Sequence, residues 1–248
     1  MRTITLFLFA ALAVTSVDAA SYQKTNGTIV DPIQFWYGGN HSYSGNNLEP
    51  HANLSGANLN NAALYQADLS NASLDGANLW GTVLYEAILT GATLTDADLQ
   101  YINLDGADLS FANLTSANLS EAGLNKAILT GADLEGAVLY KANLGVADLE
   151  GADLTNADLD WANLIGADLT DADLSGSDFT DVKHYTLATW TDAFYYTDNE
   201  PTWRSGMDAA WRTSAGILAL APTSAVPEPA ALLLALFGLA LLPRRRRR

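Results

Sequence analysis

The sequence predicts an all-β chain wound into a square solenoid, and three observations carry that prediction. Residues 52–181 divide into 26 consecutive five-residue units with no insertion or deletion, from ANLSG at 52–56 to SDFTD at 177–181. Leu occupies the centre of every unit from Leu54 to Leu174, and Phe179 takes the last centre. Ala stands two places before the centre in 23 of the 26, with Thr82, Ile102 and Ser177 as the exceptions. A period of five fits neither regular alternative. A helix would scatter the Leu residues around its axis, and a flat strand would send alternate ones to opposite faces. Both difficulties vanish when each unit forms one side of a square coil, with Ala and Leu turned inward and the other three side chains outward.

Each place in the unit then has a physical reason. A large Leu beside a small Ala fills a narrow interior at crystal-like density. Asn or Asp between them suits a tight bend, because a short polar side chain can bond its own main chain. Gly in the fifth place, as at Gly56, Gly76, Gly106 and Gly176, relieves strain at the corner. At ANLSG, ADLSN, GADLEGA and GADLTDADL the chain resembles the A(D/N)LXX motif of the pentapeptide-repeat proteins. The resemblance covers about half the chain and implies a right-handed quadrilateral parallel β-helix with four units per coil. Twenty-six units then make six and a half coils, a rod roughly 30 Å long at the usual inter-strand spacing.

The flanks divide around this rod. Residues 1–20 read as a signal peptide: Arg2, an apolar run at 4–14, and the small residues of VDAA, with cleavage after Ala19 or Ala20. Eleven apolar residues are too few to span a bilayer as an anchor. Residues 21–51 lack the repeat and are expected to cap the first coil, whose strand edge and core need cover. The rival reading of that segment is a ligand site around Trp36, Tyr37 and His41. Residues 182–221 hold Tyr185, Trp190, Phe194, Tyr195, Tyr196, Trp203 and Trp211, and are expected to close the other end, with a short helix from Met207 to Leu220. Trp203 and Arg204 beside Asp198 and Glu200 offer a partner or glycan site as the alternative.

The tail, residues 222–248, carries Pro227, Glu228 and Pro229, an apolar helix at 230–242 and five terminal Arg. In that order these parts resemble a PEP-CTERM sorting signal. The resemblance implies processing at the triad by an exosortase-type sorting enzyme, a membrane anchor before processing, and delivery to the cell envelope, surface or extracellular matrix. The residues agree on topology by themselves, since a polybasic end stays cytoplasmic and so places the repeats outside. Thirteen apolar residues make a transmembrane helix of only about 20 Å.

Composition narrows the function. The chain has 28 Asp+Glu against 12 Lys+Arg, a net charge of −16, and no Cys, which excludes disulfides, iron–sulfur clusters and thiol catalysis. Within residues 52–181, 20 acidic residues face only Lys126 and Lys141, leaving −18. The three His (His41, His51 and His184) have no metal-binding spacing, and no nucleophile elbow, P-loop or dinucleotide fingerprint occurs. No catalytic residue, metal or cofactor is therefore expected.

With four units per coil, residues 20 apart lie above one another. Trp80, Gln100, Ser120, Tyr140 and Asp160 form one column, and Gly81, Tyr101, Glu121, Lys141 and Trp161 its neighbour. Trp80, Tyr101, Tyr140 and Trp161 should thus form an intermittent aromatic strip, while Tyr65 and Tyr85 stack on another edge. Exposed aromatics beside Asp and Asn suit matrix polysaccharide, whose sugar rings have apolar faces and polar rims. A protein contact, including a homo-oligomer through the aromatic C-terminal block, is the other expectation for such a patch. Asp133, Asp153 and Asp173 stack in one column and Asp148 and Asp168 in another, so solvent, salt or loosely held Ca²⁺ must offset their repulsion. The charge and shape also allow a cytoplasmic DNA mimic that inhibits a topoisomerase, but the export signal argues against it, and no nucleic-acid partner is expected. The reading is an exported, non-catalytic, acidic scaffold or binding rod.

Overall fold

The computed structural model describes residues 21–24, 29–30, 33–35, 37–39, 42 and 46–222. Residues 1–20, expected to be a signal peptide, the Pro227–Pro229 triad, the apolar segment 230–242, Trp36 and His41 lie outside the described residues. Among the described residues no helix is long and apolar enough to cross a membrane.

The five-residue units fold by a small set of recurring hydrogen bonds. The central Leu carbonyl accepts from the next unit's Ala N–H, as Leu114 does from Ala117 at 2.9 Å, closing a four-residue turn. The fifth place falls third in that turn and, from Gly56 through Gly176, has positive φ whatever residue fills it, as Gly76 at 63°, Val146 at 56° and Trp161 at 61° show. The Asx side chain between Ala and Leu accepts from the N–H two residues on: Thr155 to Asp153 at 2.8 Å, Glu135 to Asp133 at 3.0 Å. Where the unit has Thr93 or Gly123 in that place, the coil beneath supplies the acceptor. Asp75 takes the Thr95 N–H at 3.0 Å, and Asp105 takes that of Asn125 at 2.8 Å.

Between coils the main chain pairs in parallel at a spacing of 20 residues, so four units make one turn. Four ladders result. The first side runs from Asn53 to Asp173, the second from Asn58 to Asp178, the third from Ala63 to Lys183, and the fourth from Asp68 to Asp168. The bonds alternate along the axis, with Leu114 N–H donating to Asp133 at 2.7 Å and Asp133 N–H to Ala112 at 2.9 Å. Every central Leu from Leu54 to Leu174 is buried. The exceptions to Ala are accommodated in the same core: Ile102 is apolar, and buried Thr82 donates its hydroxyl to the Leu59 carbonyl at 2.7 Å.

Before the first coil, β1 (Tyr22–Gln23) pairs antiparallel with β2 (Ile29–Val30), and β3 (Gln34–Phe35) with β4 (Ala62–Ala63) on the third side. Lys24 bridges Ala67 in the same antiparallel sense, and Ile33 and Leu48 are buried against the core. Chain running against the ladder thus lies along the edge of the first coil, where an exposed edge would invite further pairing.

The coil does not stop where the sequence pattern does. Asn163 pairs with Lys183 at the regular spacing, then Asp168 with Thr189 and Asp173 with Phe194 at 21, and Asp178 with Thr202 at 24. β5 (Phe194–Tyr196) in turn pairs in parallel with β6 (Leu218–Leu220). The end of the repeat at Asp181 is therefore not the end of the solenoid. Residues 207–220 are not one helix either. The helix α1 (Ala209–Ala215) starts where the Asp208 side chain accepts from Trp211 N–H at 2.8 Å. It ends at Gly216, whose φ of 90° turns the chain into β6.

Aromatic rings replace Leu in this last stretch. Phe179, Trp190 and Tyr195 are buried. Phe179 stacks on Trp203 with centroids 5.4 Å apart, and the Trp190 ring meets it edge-on at 5.7 Å. Trp211, from α1, packs against Trp190 and Tyr185. The Trp190 indole N–H donates to the Tyr185 carbonyl at 2.9 Å.

Candidate functional site

Outward side chains stand at the corners between sides. Trp80 and Tyr140 hold fourth places and Tyr101 and Trp161 fifth places, all on the corner between the second and third sides. Trp80 and Tyr101 meet edge-to-face with centroids 5.7 Å apart, and they are 40% and 50% exposed. Tyr140 is half-buried, with the Lys141 ammonium 5.0 Å from its ring centre. Lys141 also pairs with Glu121 at 3.8 Å. The Lys183 ammonium sits 3.8 Å above the Trp161 ring. The structure therefore brings Trp80 and Tyr101 together as one bare aromatic pair. Tyr140 and Trp161 form a second group further along, each with a lysine over its ring and with Ser120 and Glu121 intervening.

Tyr65 and Tyr85 occupy the opposite corner of the third side. The Gln66 side-chain amide donates to Glu86 at 2.9 Å, and the Tyr85 hydroxyl donates to the same carboxylate. Those two bonds hold the Glu86 carboxyl below its ordinary range, and the Glu86 acceptor in turn raises the Tyr85 phenol. Column arithmetic placed these tyrosines on another edge. It did not join the two edges as borders of one side, although the order of the units around the coil contains that information.

The stacked carboxylates are offset locally. Asp133, Asp153 and Asp173 each accept a main-chain N–H two residues ahead, and Asp173 also accepts the Ser175 hydroxyl at 2.6 Å. Asp148 and Asp168 do the same with Glu150 and Thr170 at 3.0 Å. Among the described residues no group of three or more His, Asp and Glu is arranged to hold a metal ion. Asp158 differs from the other carboxylates. Burial pushes its pKa up, the Asp160 N–H pulls it down, and the Asp178 and Asp160 charges push it up again.

At the C-terminal end, Trp203 and Arg204 face inward, which corrects the reading of them as a partner or glycan site. Trp203 stacks on Phe179 and has the Arg212 guanidinium 4.8 Å from its ring centre, while Arg204 donates to the Asp181 carbonyl at 3.2 Å and to that of Val182. Glu200 pairs with Arg212 at 3.4 Å. An open recess of about 310 Å³ lies beside them, lined by Thr155, Asp173, Ser175, Tyr196, Asp198 and Asn199. At the other end, Tyr37 is 62% exposed and stacks on Phe35 at 4.9 Å.

The family model for pentapeptide repeats matches residues 52–91, 92–131, 117–156 and 142–181, in eight copies. The chain belongs to the pentapeptide-repeat family. Its members form right-handed quadrilateral β-helices and are generally structural or binding proteins. Among solved structures, a pentapeptide-repeat protein from the Arabidopsis thaliana thylakoid lumen is 33% identical over 38% of this chain and 66% of its own, with a TM-score of 0.37. HetL, a pentapeptide-repeat protein involved in heterocyst differentiation regulation in the cyanobacterium Nostoc sp. strain PCC 7120, is 30% identical over 70% of this chain and 84% of its own, at 0.25. Full-length QnrB1, a plasmid-mediated fluoroquinolone resistance protein, is 21% identical over 69% and 85%, at 0.30. A comparison with curated proteins gave no match.

Proposed function

We propose that this pentapeptide-repeat protein is an exported, non-catalytic acidic rod that serves as a scaffold at the bacterial surface or in the extracellular matrix and binds matrix polysaccharide. The observation that carries the reading is the Trp80–Tyr101 pair, two bare rings in mutual contact on a corner whose main chain is fixed by hydrogen bonds on both sides. Rings held this way lose little freedom on meeting a sugar, so contact area converts to affinity efficiently. Export rests on residues 1–20 and on the Pro227-Glu228-Pro229 tail, whose resemblance to a sorting signal makes an exosortase-type enzyme the processing partner.

Two experiments test the parts separately. Fractionated native cells should yield a mass ending near residues 227–229 outside the membrane. A full-length chain in the cytosol overturns export and brings the DNA-mimic reading forward. Trp80→Ala with Tyr101→Ala should weaken retention on polysaccharide with no change in unfolding midpoint, and unchanged retention sinks the binding role. Self-association through the C-terminal block is the second reading. It is favoured by Leu187 and Leu218, which stay 60% and 44% exposed there, and a strict monomer by light scattering removes it.

A further inference from the structure

The four sides of the rod are not chemically alike. The outward ladder of the first side ends in Asp133, Asp153 and Asp173, the second holds Asp98, Asp158 and Asp178, and the fourth Asp68, Asp108, Asp148 and Asp168. The third side carries no carboxylate at all. Its floor is Ala63, Val83, Asn103, Gly123, Asn143 and Asn163, followed by Lys183. Every lysine between residues 52 and 203 is on this side or its corners: Lys126, Lys141 and Lys183. So are seven of the nine exposed large apolar residues of the repeats, the exceptions being Phe111 and Ile128.

Five carboxylates border this side, Glu86, Asp105, Glu121, Asp160 and Asp181, and the first four are engaged. Glu121 pairs with Lys141, and Glu86 is held by Gln66 and Tyr85. Asp105 takes the Asn125 N–H at 2.8 Å, and Asp160 takes that of Asp181 at 3.0 Å. Two of the three lysines are engaged too, Lys141 with Glu121 and Lys183 on the Trp161 ring. The result, corners included, is five carboxylates against three lysines, the least charged side of a rod of charge −18, floored by small and amide side chains and bordered by rings. The rings recur along it. Trp80 and Tyr101 are each followed 60 residues later, three coils or about 14 Å on, by Tyr140 and Trp161.

Resting on the polysaccharide reading above, we propose that the third side is the binding face and that an uncharged polysaccharide lies lengthwise along it. The Asn amides donate to and accept from hydroxyls, the aromatic corners meet the apolar faces of the sugar rings, and the ladder free of carboxylates suits an uncharged chain. A polyuronate would meet the acidic flanking sides within a Debye length of about 8 Å. A second copy of this protein would bring another −16 against them.

The test adds charge without disturbing the fold. Asp keeps the main-chain bond of the outward place, because the same oxygen accepts the N–H two residues on, as Asn103 does from Asp105 and Asn143 from Gly145; only the exposed side-chain bond from Asn163 to Asn143 at 2.9 Å is given up. The full-length chain, in mild detergent, is run through native gels cast with hydroxyethylcellulose, dextran, galactomannan or alginate. Wild type should be retarded by a neutral polymer and not by alginate. The triple variant Asn103→Asp, Asn143→Asp, Asn163→Asp should bind about tenfold more weakly, a loss of one decade in affinity. The control Asn113→Asp with Asn118→Asp, on the first and second sides, should bind like wild type, and circular dichroism should show all three equally folded. Equal binding by the triple variant overturns the face while leaving the polysaccharide reading intact. Stronger retardation by alginate overturns the neutral class. No retardation by any polymer overturns both proposals, and a dimer in light scattering that the triple variant abolishes assigns the face to a second copy.

Discussion

The middle coils and the last coil are built on the same ladder but under different constraints. Between Leu54 and Leu174 every coil has a neighbour above and below, and the count never leaves 20. After Lys183 one extra residue enters before Thr189 and three more between Phe194 and Thr202, while the inward Leu gives way to Phe179, Trp190 and Tyr195. Register is enforced from both sides in the middle, because a one-residue slip there turns an inward Leu outward in every coil that follows. The last full coil has a complete ladder on one side and only β6 on the other. Extra residues can leave as loops, and the open core is closed by rings that are wider than Leu and stack on one another.

Insertion is the strongest way to break this comparison. One Gly inserted after Thr130 should abolish cooperative folding, whereas one inserted after Asp198 should cost about 1 kcal/mol. Urea titration followed by circular dichroism measures both, and similar losses would mean that the end coil is as strict as the middle. Truncation of the core comes next. Phe179→Ala strips the stack on Trp203 and the edge contact with Trp190 and should cost about 4 kcal/mol, against about 3 for Leu114→Ala. A smaller loss at Phe179 than at Leu114 would show that the aromatic end contributes less than its burial suggests.

The smaller effects sharpen how the regular coils are tuned. Val146 is a β-branched residue held at a φ of 56°, where L-residues are strained. Val146→Gly should gain about 1 kcal/mol, read as a higher urea midpoint. Asp158 gives a pH signature. Because folding raises its pKa, the native state holds this proton more tightly than the unfolded chain does. Its contribution is therefore most favourable below the ordinary carboxylate range and declines as pH rises through the raised value. Asp158→Asn keeps the acceptor for the Asp160 N–H and should raise Tm near neutral pH, with the gain vanishing at about pH 3.

The sequence made the repeat, the inward places and the Asx bend readable, since each is a local pattern in which one place has one physical task. Leu, Ala and Asx declare those tasks directly. The continuation past Asp181 was hidden because a ladder with 21 and 24 residues between partners has no fixed period to count, and Phe179, Trp190 and Tyr195 share no motif with Leu. The aromatic strip was readable as a column. That Lys183 covers Trp161 was not, since Lys183 lies outside the repeat and takes its place only through the extended ladder. Trp203 and Arg204 misled for a related reason: an aromatic beside a cation looks alike whether it faces solvent or closes a core.

The hydrogen bonds between coils all point along the rod, and that direction governs how the protein answers tension. Drawn lengthwise from its ends, the solenoid gives way at an end coil, because a middle coil has partners on both sides. Each coil that peels away surrenders about 4.8 Å of rod and releases 20 residues, which extend to roughly 66 Å of slack chain. A tether of this kind lengthens in equal steps under load, more than tenfold per coil, and rewinds by laying each turn on the template of the one before.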